Sequence, residues 1–148
     1  LGMKILIHTR TPKENEENLT YTSLEEVLKN SDYVSLHCPL NEKTKHIINA
    51  ETLSLMKPTA FLINTARGAL IDEPALIEAL KKGTIAGAGL DVQETEPPVE
   101  DNPLYTMENV ILTPHMGWKG LETRQRLVSI LADNVQSYIK GNPINVVC

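Results

Sequence analysis

The sequence predicts a parallel α/β fold. Three observations carry it. Short β-rich runs alternate with capped helical segments along most of the 148 residues, the pattern that right-handed crossovers produce. The central run Ala60-Phe61-Leu62-Ile63 is apolar throughout, as in a strand with helices on both of its faces. Polar residues then gather just after the apolar runs, where an open parallel sheet places its ligand-binding loops.

The elements follow in order. Residues 3–8, Met-Lys-Ile-Leu-Ile-His, are β-rich and predict a first strand, with a polar, proline-containing loop expected over 9–21. Ser23-Leu24-Glu25-Glu26 is a capping box, whose serine hydroxyl can accept from an orphan helix N–H. It predicts a short helix ending near Asn30. Tyr33-Val34-Ser35-Leu36-His37 is the next strand, ahead of Pro39.

Asn49 is placed to cap a helix over about 50–56, which Lys57-Pro58 would stop because proline disfavours a helical residue before it. Asp72 caps another, with Pro74 in its first turn and Gly83 at its end. Residues 85–92 form a glycine-rich strand, and Val110-Ile111-Leu112 another. Leu121, Val128, Leu131, Val135 and Tyr138 recur at helical spacing up to Gly141, which predicts a long final helix.

Composition bounds the function. Apolar residues are 41% and charged residues 22% of the chain, with a formal net charge of −5. This balance fits a globular protein and argues against a nucleic-acid or anionic-membrane partner. No apolar run approaches the roughly 20 residues of a membrane span. The two cysteines, Cys38 and Cys148, have no metal-ligand spacing and make a poor disulfide framework, so a cytoplasmic setting is the expectation. The chain opens at Leu1-Gly2-Met3 and runs directly into a strand. It is therefore expected to be part of something longer.

Three side chains at strand ends stand out. Arg67, in Asn64-Thr65-Ala66-Arg67-Gly68, carries a planar fork that can hold a carboxylate through two parallel hydrogen bonds. His115, in Thr113-Pro114-His115-Met116-Gly117, offers an imidazole, the group suited to proton transfer near neutrality. Glu96, in Glu94-Thr95-Glu96-Pro97, can fix a histidine tautomer if the two meet. Each has a plainer reading, respectively a surface-paired arginine, a structural histidine and a solvated loop carboxylate.

Taken together, Asn64-Thr65-Ala66-Arg67-Gly68, then Gly89-Leu90-Asp91-Val92 with Glu96-Pro97, then Thr113-Pro114-His115 resemble the signatures of the D-2-hydroxyacid dehydrogenases. The resemblance covers nearly the whole chain, and the motifs stand in family order. It implies a Rossmann-like α/β sheet and hydride transfer between a nicotinamide cofactor and a 2-oxo acid or D-2-hydroxy acid. In that family's terms Arg67 holds the substrate carboxylate, His115 gives and takes the proton, and Glu96 supports His115.

The resemblance also implies a cofactor set. Asp91 would meet the nicotinamide carboxamide, His37, Cys38 and Pro39 the adenosine side, and Thr44, Thr65, Ala66, His115 and Gly117 would line the cofactor. Trp118 follows the His115 loop, as in glycerate/hydroxypyruvate-type members, which leans the substrate towards hydroxypyruvate or glyoxylate. A homodimer is expected of the full-length protein.

Two departures from the family pattern matter. Its first strand, G-x-G-x-x-G turn and helix are absent from this sequence. Residues 1–118 are therefore expected to be an incomplete NAD(P)-binding domain, poor at binding dinucleotide by itself. Residues 119–148 are expected to be a helix and tail that return to a substrate domain. Second, the acidic residue that an NAD-specific member places after its second strand is replaced by Thr9, with Arg10 and Lys13 following. Hydroxyl and cations there fit a 2′-phosphate, so NADP is expected ahead of NAD. The alternative function is a nucleotide-sensing, corepressor-like interaction module that keeps the same three residues without catalysis.

Overall fold

In the computed structural model, which describes residues 2–147, every strand pair is parallel. The strands are β1 (Ile5–Ile7), β2 (Leu19–Tyr21), β3 (Tyr33–Leu36), β4 (Phe61–Asn64), β5 (Gly87–Leu90) and β6 (Val110–Leu112). The helices between and after them are α1 (Leu24–Asn30), α2 (Ala50–Ser54), α3 (Glu73–Lys81) and α4 (Leu121–Ile139). The strands form two sheets, β1-β2 and β3-β4-β5-β6. The chain divides into two units, one ending at Pro114 and one beginning at His115, and each is described by itself.

Local chemistry starts the helices where the sequence places them. The Ser23 hydroxyl accepts from the Glu26 N–H at the start of α1. The Asn49 side chain accepts from the N–H groups of Glu51 and Thr52, and the Thr52 hydroxyl accepts in return from the Asn49 N–H, a reciprocal capping box. Asp72 accepts from the Ala75 N–H at the start of α3. Each cap satisfies an N–H that the first helical turn otherwise leaves without a partner.

The larger sheet is built of cross-strand rows. Val34, Leu62 and Ala88 lie side by side, as do Leu36, Asn64 and Leu90, and all six are buried. The apolar five, all but Asn64, pack with Leu28 of α1, Leu53 of α2, and Leu76, Ala79 and Leu80 of α3 into one core. The alternate rows face the other way. Tyr33 and Phe61 stack there with ring centroids 5.7 Å apart, and Gly87 and Gly89 leave room for Phe61 and Ile63 beside them.

Two expectations need correction. The polar loop of 9–21 ends in a strand: Leu19–Tyr21 pairs with Ile5–Ile7, and hydrogen bonds to a neighbouring strand outweigh the polar surroundings of so short a segment. The apolar run of β4 is covered unequally on its two faces. Leu62 is fully buried, whereas Phe61 keeps 39% of its surface exposed. In the second unit α4 shows its apolar spacing, but Leu121, Val128, Leu131, Val135 and Tyr138 are all exposed.

Removing the Leu62 side chain should therefore cost more than removing a cap. Leu62→Ala is expected to destabilise the fold by about 2–5 kcal/mol, and Asp72→Ala by about 1 kcal/mol. Urea denaturation followed by circular dichroism measures both.

Candidate functional site

The loops after β4 and β5 are fixed to each other through backbone. Asn64, the last residue of β4, is fully buried. Its Oδ1 accepts from the Ala66 N–H at 3.1 Å and its Nδ2 donates to the Arg67 carbonyl at 2.9 Å. The side chain of a strand residue thus closes the turn that presents Arg67. A single 3-10 turn, Gly68–Leu70, follows at once. A Cβ added to Gly68 would lie 1.8 Å from the Gln93 carbonyl oxygen and 2.5 Å from the Glu94 nitrogen. Only a residue without a side chain permits that approach.

Arg67 itself is exposed. Its guanidinium folds back to donate to the Ala66 carbonyl at 2.7 Å, and among the described residues it forms no ion pair. The plainer reading of a surface arginine held by a nearby acid does not describe it. Thr65 is exposed and Ala66 half-buried in the same turn.

Asp91 follows β5 directly and is 8% exposed. Its N–H donates to the Asn64 carbonyl at 2.9 Å, extending the β4–β5 ladder by one step. Its carboxylate accepts a short hydrogen bond from the Thr113 hydroxyl, while the Thr113 N–H donates to the Leu90 carbonyl at 2.9 Å. The ends of β4, β5 and β6 are thereby tied together. Glu96 is exposed on the loop beyond Asp91. Its Oε1 accepts from the Gln93 N–H at 3.1 Å, and its bond to Pro97 is cis.

The remaining expected positions fall at two further strand ends. Thr9 and Arg10 are exposed just beyond β1, as is Lys13 further on. After β3, the His37 Nε2 lies 2.8 Å from the Ser35 hydroxyl. Cys38 is half-buried against the core, and Pro39 is exposed. The Thr44 hydroxyl donates to the Pro39 carbonyl at 2.7 Å and accepts from the Asn41 N–H at 2.9 Å. It holds the loop in shape.

His115 opens the second unit. It is half-buried and takes the left-handed backbone conformation, φ +48°, which non-glycine residues adopt uncommonly. Gly117 follows in the turn, and the Lys119 N–H closes on the Met116 carbonyl at 2.9 Å. Trp118 is 52% exposed and carries the Arg124 guanidinium 5.6 Å from its ring centroid, a cation–π contact. It is not packed away beneath α4.

Sequence reasoning assigned no role to Asn64, His46, Glu73, Glu94 or Asn102. Asn64 had a signal, as a polar residue ending an apolar run. The other four meet through contacts between distant parts of the chain, such as His46 with Glu94, which no spacing rule reveals.

An open parallel sheet whose strand ends present hydroxyl, cationic, imidazole and carboxylate groups defines a ligand-binding domain of the α/β type. More specifically, the chain belongs to the D-isomer specific 2-hydroxyacid dehydrogenases, whose NAD binding domain profile matches residues 1–117. It is 44% identical over 149 residues to a hydroxypyruvate reductase of Blautia hydrogenotrophica, covering 99% of this chain and 46% of that protein. It is 47% identical over 150 residues to a glyoxylate reductase of Korarchaeum cryptofilum, covering 99% and 45%. Among solved structures, an acyclic imino acid reductase (Bsp5) in complex with NADPH and D-Arg superposes with a TM-score of 0.87 at 41% identity, covering 99% of this chain and 46% of that one. The chain spans about half the length of the curated relatives it matches.

The Gly68 contact is directly testable. Gly68→Ala should force the Arg67 and Gln93 backbones apart and lower stability by about 1–3 kcal/mol or more, read by thermal denaturation.

Proposed function

We propose that this chain is the cofactor-side part of an oxidoreductase that moves a hydride between NAD(P)H and a small 2-oxo acid, forming a D-2-hydroxy acid. The observation that carries the reading is the junction at Gly68. It sets an exposed arginine, unpaired among the described residues, and the loop of Glu96 side by side at the ends of two parallel strands. Family membership supports the rest.

In this reading Arg67 holds the substrate carboxylate and draws electron density from the neighbouring carbonyl. His115 donates a proton to the carbonyl oxygen during reduction and recovers it in oxidation. Glu96 supports His115 by holding its tautomer. The nicotinamide cofactor, when bound, supplies the hydride. Asp91, held by Thr113, is the proposed partner of its carboxamide, and His37, Cys38, Pro39, Thr44, Thr65, Ala66 and Gly117 are proposed to line it.

The donor set beyond β1 favours NADP over NAD. Residues 8–13 read His-Thr-Arg-Thr-Pro-Lys: hydroxyls and cations, with no carboxylate to repel a 2′-phosphate. The NADPH complex of the imino acid reductase is a precedent among similar folds. The hydroxypyruvate and glyoxylate reductases among the relatives support those two substrates, and their names favour catalysis over a corepressor-like role.

The strand arrangement supports reading residues 1–118 as an incomplete NAD(P)-binding domain. β1 and β3 each lie at the end of their sheet, so each leaves one edge that a further parallel strand would join. The exposed apolar face of α4 supports reading 119–148 as a segment that packs on another domain. Among the described residues no helix is long and apolar enough to cross a membrane. The cytoplasmic setting is carried over from the cysteine pattern of the sequence, two residues with no metal-ligand spacing and a poor disulfide framework. The homodimer is carried over from the family resemblance.

Two substitutions in the full-length protein test the reading. His115→Ala should lower the rate of hydroxypyruvate or glyoxylate reduction by about 100-fold or more while cofactor affinity, measured by fluorescence titration, stays nearly constant. Retained turnover would remove His115 as the acid. Thr9→Asp should move the kcat/KM preference from NADPH towards NADH, and an unchanged preference would dismiss the 2′-phosphate site.

A further inference from the structure

The structure assigns His46 and Glu94 a joint role as positioning residues that hold the Glu96 loop in register with the Arg67 turn. The assignment rests on the reductase reading for its catalytic consequence and on geometry for the contact itself.

The starting observation is the backbone of His46. It adopts φ +50°, a conformation that costs a β-carbon residue energy and persists only where neighbours enforce it. The neighbours are present on both sides. The His46 N–H donates to the Ala69 carbonyl at 2.9 Å, one residue beyond Gly68, and the His46 carbonyl accepts from the Asn49 side chain at 3.1 Å. Two residues on, the Ile48 N–H donates to the Leu70 carbonyl and the Ile48 carbonyl accepts from the Asp72 N–H. The segment that carries His46 is therefore laced to the backbone that follows Arg67.

The imidazole then reaches the other loop. Its Nε2 lies 2.7 Å from Glu94 Oε1. A carboxylate only accepts, so Nε2 carries the proton in this contact. The second carboxylate oxygen of Glu94 accepts from the Glu73 N–H at the first turn of α3, at 3.3 Å, and the Glu94 N–H donates to a Glu73 carboxylate oxygen at 3.1 Å. Glu73's other oxygen accepts from Asn102 Nδ2 at 2.8 Å, and Asn102 is 5% exposed.

These bonds define an arch. Its feet are Glu94 and Asn102, both standing on Glu73, and Glu96 lies between them on the exposed span. Two carboxylates, Glu73 and Glu94, are brought together there. Their repulsion is offset by backbone N–H groups, by the helix terminus and by the His46 N–H. Take away the imidazole and the foot nearest Glu96 loses its side-chain donor from the Arg67 side of the site. Arg67 itself stays held, because Asn64 closes its turn independently. His46 thus acts on Glu96 alone, through Glu94, and touches no reacting atom.

Two variants of the full-length protein separate this role from simple stability. Asparagine tolerates a positive φ but is too short to reach Glu94, whereas glutamine has the reach and an N–H to donate. In His46→Asn, amide hydrogen exchange over residues 94–97 should accelerate by about tenfold or more, with exchange in α1 unchanged. The kcat for 2-oxo acid reduction should fall by about tenfold or more, while KM for the oxo acid and cofactor affinity change less than roughly threefold. His46→Gln should restore both exchange and kcat to within roughly threefold of the parent.

Unchanged exchange over 94–97 in His46→Asn would overturn the clamp. So would a glutamine variant as impaired as the asparagine one, or a kcat near the parent's despite faster exchange. If the parent protein turns over no 2-oxo acid, the reductase reading fails, and the exchange measurement alone decides the clamp.

Discussion

The close approach of Gly68 to Gln93 is the constraint from which the candidate site follows. Parallel strands running side by side deliver their loops to the same edge of a sheet, but adjacency of strands does not fix adjacency of loops. Here the β4 loop turns immediately, because Asn64 captures its own downstream backbone, and the missing side chain at Gly68 lets the β5 loop lie directly against it. Asp91 adds one more ladder step, and Thr113 ties in the end of β6. Positioning of the two loops falls to backbone and buried polar groups, while Arg67 and Glu96 stand exposed on them.

The same economy explains the sheet below. Its covered face uses side chains of moderate size, Val34, Leu62, Ala88 and Leu90, against α1, α2 and α3. Its other face depends on glycine: Phe61 leans over Gly87, and Ile63 approaches Gly89. The aromatic pair Tyr33 and Phe61 lies on that less-covered face. Together with the exposed apolar residues of α4, it is surface that ordinary globular chains seldom leave open in quantity. This fits a chain spanning about half the length of its relatives.

What was legible in the sequence was local. Ser23, Asn49 and Asp72 announce helix starts because a cap acts on N–H groups two or three residues away, and each does so in the structure. The strands β1 and β3 to β6 were legible as β-rich, apolar or glycine-rich runs. β2 was not, since Leu19–Tyr21 is only three residues long at the end of a polar stretch, and its pairing with β1 is a property of the sheet. The motifs around Arg67, Glu96 and His115 were legible by resemblance, which assigns roles but no contacts. His46 and Glu94 stand 48 positions apart and obey no periodicity. Only the fold, by lacing residues 46–48 to 69–72, makes them neighbours. Coverage of the exposed faces was illegible for a different reason: apolar spacing shows that a face wants a partner and says nothing of where the partner lies.

Hydride transfer by the full-length protein is the measurement on which the dehydrogenase reading stands or falls. Purified protein is mixed with NADPH or NADH and hydroxypyruvate or glyoxylate, the reduced cofactor is followed by its near-ultraviolet absorbance, and the hydroxypyruvate product is resolved by chiral chromatography. Cofactor should be oxidised in step with the oxo acid, and the product should be D-glycerate. Cofactor that stays reduced with both acids, or an L-configured product, would contradict that reading.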